Sequence, residues 1–130
     1  RSGQVENLFG RPRRMPKAKE ILEMYGNMEH GKLPYEYRNL LNLAVNHKIQ
    51  STAASIVNRA SIAFYNRIQS DIVGCSIVLQ VHDEIIAECK EEDAVRVAAI
   101  LKDAMENTTV LPCVKLVADP KISTNLAGLK

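Results

Sequence analysis

The chain contains no tryptophan and only two phenylalanines and four tyrosines, so aromatic residues make up 5% of its 130 positions. None falls in the segments read below as strands, which excludes the base-stacking sheet of RNA-recognition domains. No apolar stretch approaches the roughly 20 residues that span a bilayer, and the polar N-terminal stretch lacks a signal-peptide pattern. The chain is therefore expected to be soluble and intracellular with no membrane partner, whether in cytoplasm, organelle or phage-infected cell. Cysteine is scarce too: Cys75, Cys89 and Cys113 are odd in number and have no C-x-x-C spacing, which argues against a zinc ribbon or a disulfide framework. Lying in or beside apolar runs, they read as three small buried thiols. Internal repeats and low-complexity segments are absent.

What remains has the composition of a packed protein. The hydrophobic share is 46% and the charged share 25%, and 130 residues suffice for one compact core. Net charge is only +2, but it is unevenly placed. Residues 1–48 hold nine Lys/Arg against five Asp/Glu, a balance of +4, and residues 49–130 hold eight against ten, a balance of −2. A basic first third and an acidic remainder suit a polyanion on one side and a cation on the other.

The chain is organised around Cys75-Ser-Ile-Val-Leu-Gln-Val-His-Asp-Glu-Ile-Ile-Ala-Glu88. Each apolar flank is too short for an ordinary helix and rich in Val and Ile, so both read as buried strands. Between them sit His82, Asp83 and Glu84, with no Gly, Pro or Asn to ease the turn. A histidine and two carboxylates in that place point to chemistry. A zinc site built on His82 and Asp83 lacks further ligands at suitable spacing.

Upstream, Gly10, Pro12 and Pro16 exclude a regular helix and place Arg11, Arg13 and Arg14 on a loop or irregular hairpin. Three guanidiniums within four residues repel one another unless anions lie close, and phosphate matches their forked donors. Lys17 to Glu29 reads as a helix with Ile21, Leu22, Met24 and Tyr25 on its apolar side, ending at Asn27 and His30-Gly31. A break at Gly31 to Pro34 precedes a helix from Tyr35 to about Ala44. From about Gln50 to Gln69, Ala53, Val57, Ala60, Phe64 and Ile68 form one helical stripe. Spacing does not decide whether these two helices are continuous through Asn46 to Gln50. Beyond the central hairpin, Glu91-Glu-Asp93 opens a helix with Ala94, Val97 or Ala98, Leu101 and Met105 as its core stripe, ending at Asn107-Thr-Thr109. Val114 to Ala118 reads as a third strand, stopped by Asp119-Pro120. The order of elements describes an α+β fold, an antiparallel sheet backed by helices.

Three stretches together resemble the C-terminal palm and fingers of a family A DNA polymerase, the DNA polymerase I family. Leu8-Phe-Gly-Arg-Pro-Arg-Arg-Met-Pro16 resembles the family's L-[FL]-G-R-R-R-x-[LMV]-P segment, and Asn46-His-Lys-Ile-Gln-Ser-Thr-Ala-Ala54 is similar to N-x-P-[MV]-Q-G-T-A-A. Leu79-Gln-Val-His-Asp-Glu84 contains the family's motif C, Q-V-H-D-E, unchanged. The resemblance implies a palm-type sheet, the motif C hairpin plus the third strand, which is incomplete without a partner segment. It divides the chain into a basic fingers-side segment, residues 1–50, and a palm portion, residues 51–130. Departures occur at Pro12, Lys48, Ser51 and Ser55, and Asn42 stands where relatives often carry a template-contacting arginine.

The resemblance also implies roles. Asp83 looks like a metal-binding palm aspartate and Glu84 like the carboxylate that assists it, the two serving two Mg²⁺ ions for which Mn²⁺ can substitute. His82 resembles the histidine beside the primer terminus; Asn46 and Gln50 look like the pair that bonds the duplex minor groove; Arg11, Arg13 and Arg14 fall near the nucleic-acid backbone. The expected partners are a DNA primer-template and a deoxynucleoside triphosphate. The family's motif A and the fingers helix that grips the triphosphate have no counterpart here. A further segment or chain carrying them is expected, and the chain alone is expected to be inactive. The competing reading is a non-catalytic nucleic-acid-binding or assembly module that retains the palm shape.

Overall fold

A computed structural model describes residues 3–26 and 34–129 and resolves two compact units, Arg1–Ala53 and Ala54–Lys130. The first begins with a hairpin. Strands β1 (Gln4–Glu6) and β2 (Pro12–Arg14) pair antiparallel, with Val5 opposite Arg13. Its loop is closed by Asn7, a buried residue whose Oδ1 accepts the N–H groups of Phe9 and Arg11 at 2.9 Å each. Gly10 then turns the chain back at a φ of 77°, in the left-handed region that an L side chain resists.

Helix α1 (Ala18–Tyr25) is shorter than its apolar pattern predicts and buries only Ala18 fully. Met24, expected on the apolar side, is exposed, and the expected helix end at Asn27 and His30 and the break at 31–33 lie outside the described residues. Helix α2 (Tyr35–Asp71) answers the question left by spacing: it runs unbroken through Asn46 to Gln50. None of its residues from Tyr35 to Gln50 is fully buried, so that stretch carries no core stripe for periodicity to detect.

In the second unit the stripe is real. Val57, Ala60, Phe64 and Ile68 are buried and Ile72 continues the series, whereas Ala53, expected in it, is exposed. Gly74, at a φ of 85°, turns the chain from the helix into a two-stranded antiparallel sheet, β3 (Ser76–Val81) and β4 (Glu84–Glu88). A short 3₁₀ turn, Glu91–Asp93, leads into α3 (Ala94–Asn107). Phe64 and Ile68 are fully enclosed and pack with Ile72, Cys75, Val97, Ile100 and Ala104; Val57 and Ala60 receive Ile85. Arg67 of α2 bonds Asp103 of α3 at the rim of this core.

The α+β class stands, with several corrections of detail. The third strand is not formed: Leu111 and Val114 make an isolated bridge, and residues 115–120 have no ladder. Pro112 and Pro120 flank the segment, Val117 is exposed, and the Ala118 N–H is taken by Glu106 at 2.9 Å instead of by a strand. On α3 the fully buried face is Val97, Ile100 and Ala104, with Leu101 and Met105 at its edge; Ala94 and Ala98 are half-buried. The strands are not both buried either. β4 buries Ile85, but β3 leaves Val78, Leu79 and Val81 at 49%, 44% and 40% exposure. Cys113 is exposed, so only Cys75 is a fully buried thiol, with Cys89 half-buried. Among the described residues, no helix is long and apolar enough to cross a membrane.

Candidate functional site

Val81 pairs with Glu84, so the bend between β3 and β4 consists of His82 and Asp83 alone and Glu84 heads the second strand. A two-residue hairpin loop normally demands positive φ at its first position, which is why Gly and Asn dominate there. Here the position is His82, with a φ of 51°, and no other non-glycine residue among those described has positive φ. Such a conformation costs an L residue about 1–2 kcal/mol. Strain of this kind persists where the surroundings over-determine it, and it clusters at functional sites.

His82, Asp83 and Glu84 are all exposed at this tip. The two carboxylates are hard oxygen donors held on adjacent residues, the donor type that Mg²⁺ takes one or two of while keeping water and substrate phosphates in its sphere. They fit such an ion as a partial ligand set. Among the described residues, no group of three or more His, Cys, Asp or Glu converges on one point, so an ion held there would need further ligands from substrate, water or further chain.

The approach to the bend is held from below. Gln80, two residues before His82, donates from Nε2 to Asn58 Oδ1 at 3.1 Å and accepts at Oε1 from Ser61 Oγ at 3.1 Å. Sequence reasoning missed Asn58 and Ser61. The available signal was their position on α2, each one residue after a member of the core stripe, Val57 and Ala60. Two thiols lie at the opposite end of the hairpin. Burial pushes the Cys75 thiol above its ordinary range, with Cys89 and Asp93 adding to the effect; burial, Asp93 and Glu88 do the same for Cys89. Both shifts favour the neutral thiol over the thiolate.

The remaining predicted residues lie in the first unit. Asn46 and Gln50 are one turn apart and exposed on the same side of α2. Since the helix is continuous there, neither caps a terminus, and their amides are available to a ligand. Arg11 precedes β2, and Arg13 and Arg14 lie within it, all exposed. Strand alternation sends Arg13 and Arg14 to opposite faces, so the three guanidiniums do not form one flat patch. Asn7 ties this hairpin to α2: its Nδ2 donates to both the carbonyl and the hydroxyl of Ser51 at 3.0 Å, and the Leu8 N–H donates to Thr52 Oγ1 at 3.2 Å. Asn7 was also missed, although Asn-x-x-Gly is a turn signal.

Comparison with known proteins gives a consistent result. The family model described as DNA polymerase family A matches residues 1–127. The chain is 34% identical over 110 residues to the thermostable DNA polymerase I of Thermus thermophilus, covering 82% of this chain and 11% of that protein. It is 36% identical over 109 residues to DNA polymerase I of Deinococcus radiodurans, covering 84% and 10%. Against DNA polymerase I of Pseudomonas aeruginosa it is 32% identical over 123 residues, covering 95% and 12%. The chain thus spans about a tenth of the length of these curated relatives. Among solved structures it is similar to the POL domain of Pol1 from M. smegmatis in complex with DNA primer-template and dNTP. There the TM-score is 0.66 at 26% identity, covering 84% of this chain and 17% of that one.

Proposed function

The chain belongs to DNA polymerase family A, and from that premise we propose that it is the C-terminal part of a DNA-directed DNA polymerase. The reaction is template-directed nucleotidyl transfer to a primer 3′-hydroxyl. The observation that carries the reading is the bend itself: an exposed aspartate, next to a second carboxylate, at the end of a tight ladder whose first loop residue holds positive φ.

In this reading Asp83 and Glu84 hold the catalytic Mg²⁺ ions, or Mn²⁺ in their place. When bound, two such ions lower the pKa of the attacking hydroxyl and neutralise the departing pyrophosphate. Asp83 supplies its oxygen from a two-residue loop, where little positional slack exists. His82, beside it, orients the primer terminus. Asn46 and Gln50 donate amide hydrogens to minor-groove acceptors that all base pairs share, which senses pairing geometry without reading sequence. Arg11, Arg13 and Arg14 bond backbone phosphates and fix register on the duplex. The M. smegmatis domain is in complex with DNA primer-template and dNTP, which supports the same substrate classes here.

One aspartate with its neighbouring glutamate does not complete the sphere of two ions. The proposal therefore includes a further polymerase segment that carries motif A with a second aspartate, along with the nucleotide-gripping fingers helix. The exposed apolar side chains of β3, Val78, Leu79 and Val81, support a covering segment. Residues 1–50 serve as the basic fingers side and residues 51–130 as the palm portion. Combining the chain with such a segment should yield Mg²⁺-dependent primer extension that neither piece supports alone. DNA binding without any incorporation by the assembly would replace this reading with that of a non-catalytic module.

A further inference from the structure

The tip of the second hairpin is placed with little help from packing. β3 leaves Val78, Leu79 and Val81 exposed, and beside the bend only Ile85 is buried, between Val57 and Ala60 of α2. Gln80 is the cross-strand partner of Ile85, so their side chains share one face of the sheet. On that face an apolar peg and a polar clip stand side by side. Ile85 enters the gap at Val57 and Ala60, and the Gln80 amide is bonded at one end by Asn58 and at the other by Ser61. The Val57 carbonyl also lies 3.0 Å from Ser61 Oγ and shares the single hydroxyl proton with Gln80 Oε1.

We infer that Asn58 and Ser61 are positioning residues for Asp83, fixing through Gln80 the tip of the β3–β4 hairpin beyond Ile77 and Ala87, which pack on the core lower down; the inference rests on the catalytic reading above. Packing by Ile77, Ala87 and Ile85 seats the ladder on the core but ends at Ile85, so the tip beyond it is set by other contacts. The bond from Gln80 Nε2 to Asn58, with the shared Ser61 proton at the other end of the amide, restrains the tilt of that tip. Asp83 lies three residues beyond Gln80, at the bend that the clip supports, so a tilt at the clip displaces the carboxylate. A misplacement of about 1 Å costs about 10²-fold in rate, and a smaller one correspondingly less. All three clip residues are accessible to solvent, so replacing them spares the core.

The test uses the polymerase assembled with its motif A segment and four variants. Asn58→Leu should lower the maximal incorporation rate by about 10-fold and raise the Mg²⁺ concentration for half-maximal rate, with KM for dNTP unchanged. Asn58→Asp, which keeps the acceptor for Gln80 Nε2, should restore both to near the parent values. Ser61→Ala should fall between them. In the full chain, Asn58→Leu should also speed hydrogen exchange at Val81 and Glu84 and leave α3 unaffected. An Asn58→Leu enzyme with unchanged rate and Mg²⁺ dependence, or unchanged exchange at the bend, overturns the inference. The outcomes separate cleanly from failure of the catalytic reading: that reading falls if the fourth variant, Asp83→Ala, incorporates nucleotides at the parent rate, whatever the Asn58 variants do.

Discussion

His82 combines a side chain proposed to face the primer end with a backbone suited to glycine. Replacing it should therefore split stability from activity. His82→Gly removes a left-handed penalty of about 1–2 kcal/mol and adds back about 0.5–1 kcal/mol of glycine entropy. The variant should melt slightly higher than the parent in a thermal unfolding experiment and extend primers more slowly; a lower melting temperature would contradict the strain assignment. Asp103 offers a second residue-scale test. Hydrogen bonds from Arg67 and Asn107 hold its carboxyl below the ordinary carboxylate value, although the group is solvent-exposed. The folded chain thus keeps this charge in acid where the unfolded chain has begun to lose it. The stabilisation is fully present above the ordinary carboxylate pKa and disappears as pH falls through the lowered one. The stability difference between the parent and Asp103→Asn should be small at neutral pH, as befits a surface pair, and should vanish in strong acid. A difference that grows as pH falls would contradict it.

At the scale of elements, α3 provides the sharper test because its core face differs from the one periodicity predicts. Ile100→Ala should cost about 2–5 kcal/mol, as for other buried aliphatic truncations, and Phe64→Ala about 3–5 kcal/mol. Ala53→Ser, on the exposed side of α2, should stay within about 0.5 kcal/mol. Urea unfolding of the three variants checks the ranking, and an Ala53→Ser penalty equal to that of Ile100→Ala would contradict the placement of both helices. The reasons for what was legible are local. From Val57 to Ile68 one apolar residue falls on each turn and a partner covers it, so the stripe in the sequence is the stripe in the core. Between Tyr35 and Gln50 Leu41, Leu43, Val45 and Ile49 remain exposed, and without burial the apolar pattern carries no face. The bend was readable because Q-V-H-D-E is contiguous. The clip from Asn58 and Ser61 to Gln80 was not, because it joins residues 19 and 22 positions apart through side chains of ordinary helix composition. The failed strand at Val114 to Ala118 had the right residue types but no neighbouring ladder to accept it.

The whole molecule should associate with DNA in a salt-sensitive way. Each backbone phosphate that an arginine no longer neutralises should reduce the slope of log K against log salt by about 0.9. Changing Arg11, Arg13 and Arg14 together to Ala in the assembled polymerase should flatten the slope by up to ~2.7 on that basis, whereas Asn46→Ala and Gln50→Ala should leave it unchanged and weaken binding at every salt concentration. An unaltered slope in the arginine variant would remove the hairpin from the nucleic-acid face. Ser51, a departure from the family pattern, has a local role instead: its carbonyl and hydroxyl accept the buried Asn7 amide that holds the hairpin to α2.

The most direct test of the central claim is the single-turnover rate of nucleotide incorporation by the assembled enzyme at saturating DNA and dNTP, with and without Asp83→Ala. Metal-ion stabilisation of several kcal/mol, at 1.36 kcal/mol per factor of ten, predicts a fall of about 10³-fold with DNA affinity preserved. A rate within a few-fold of the parent would show that the carboxylate at the bend holds no catalytic ion.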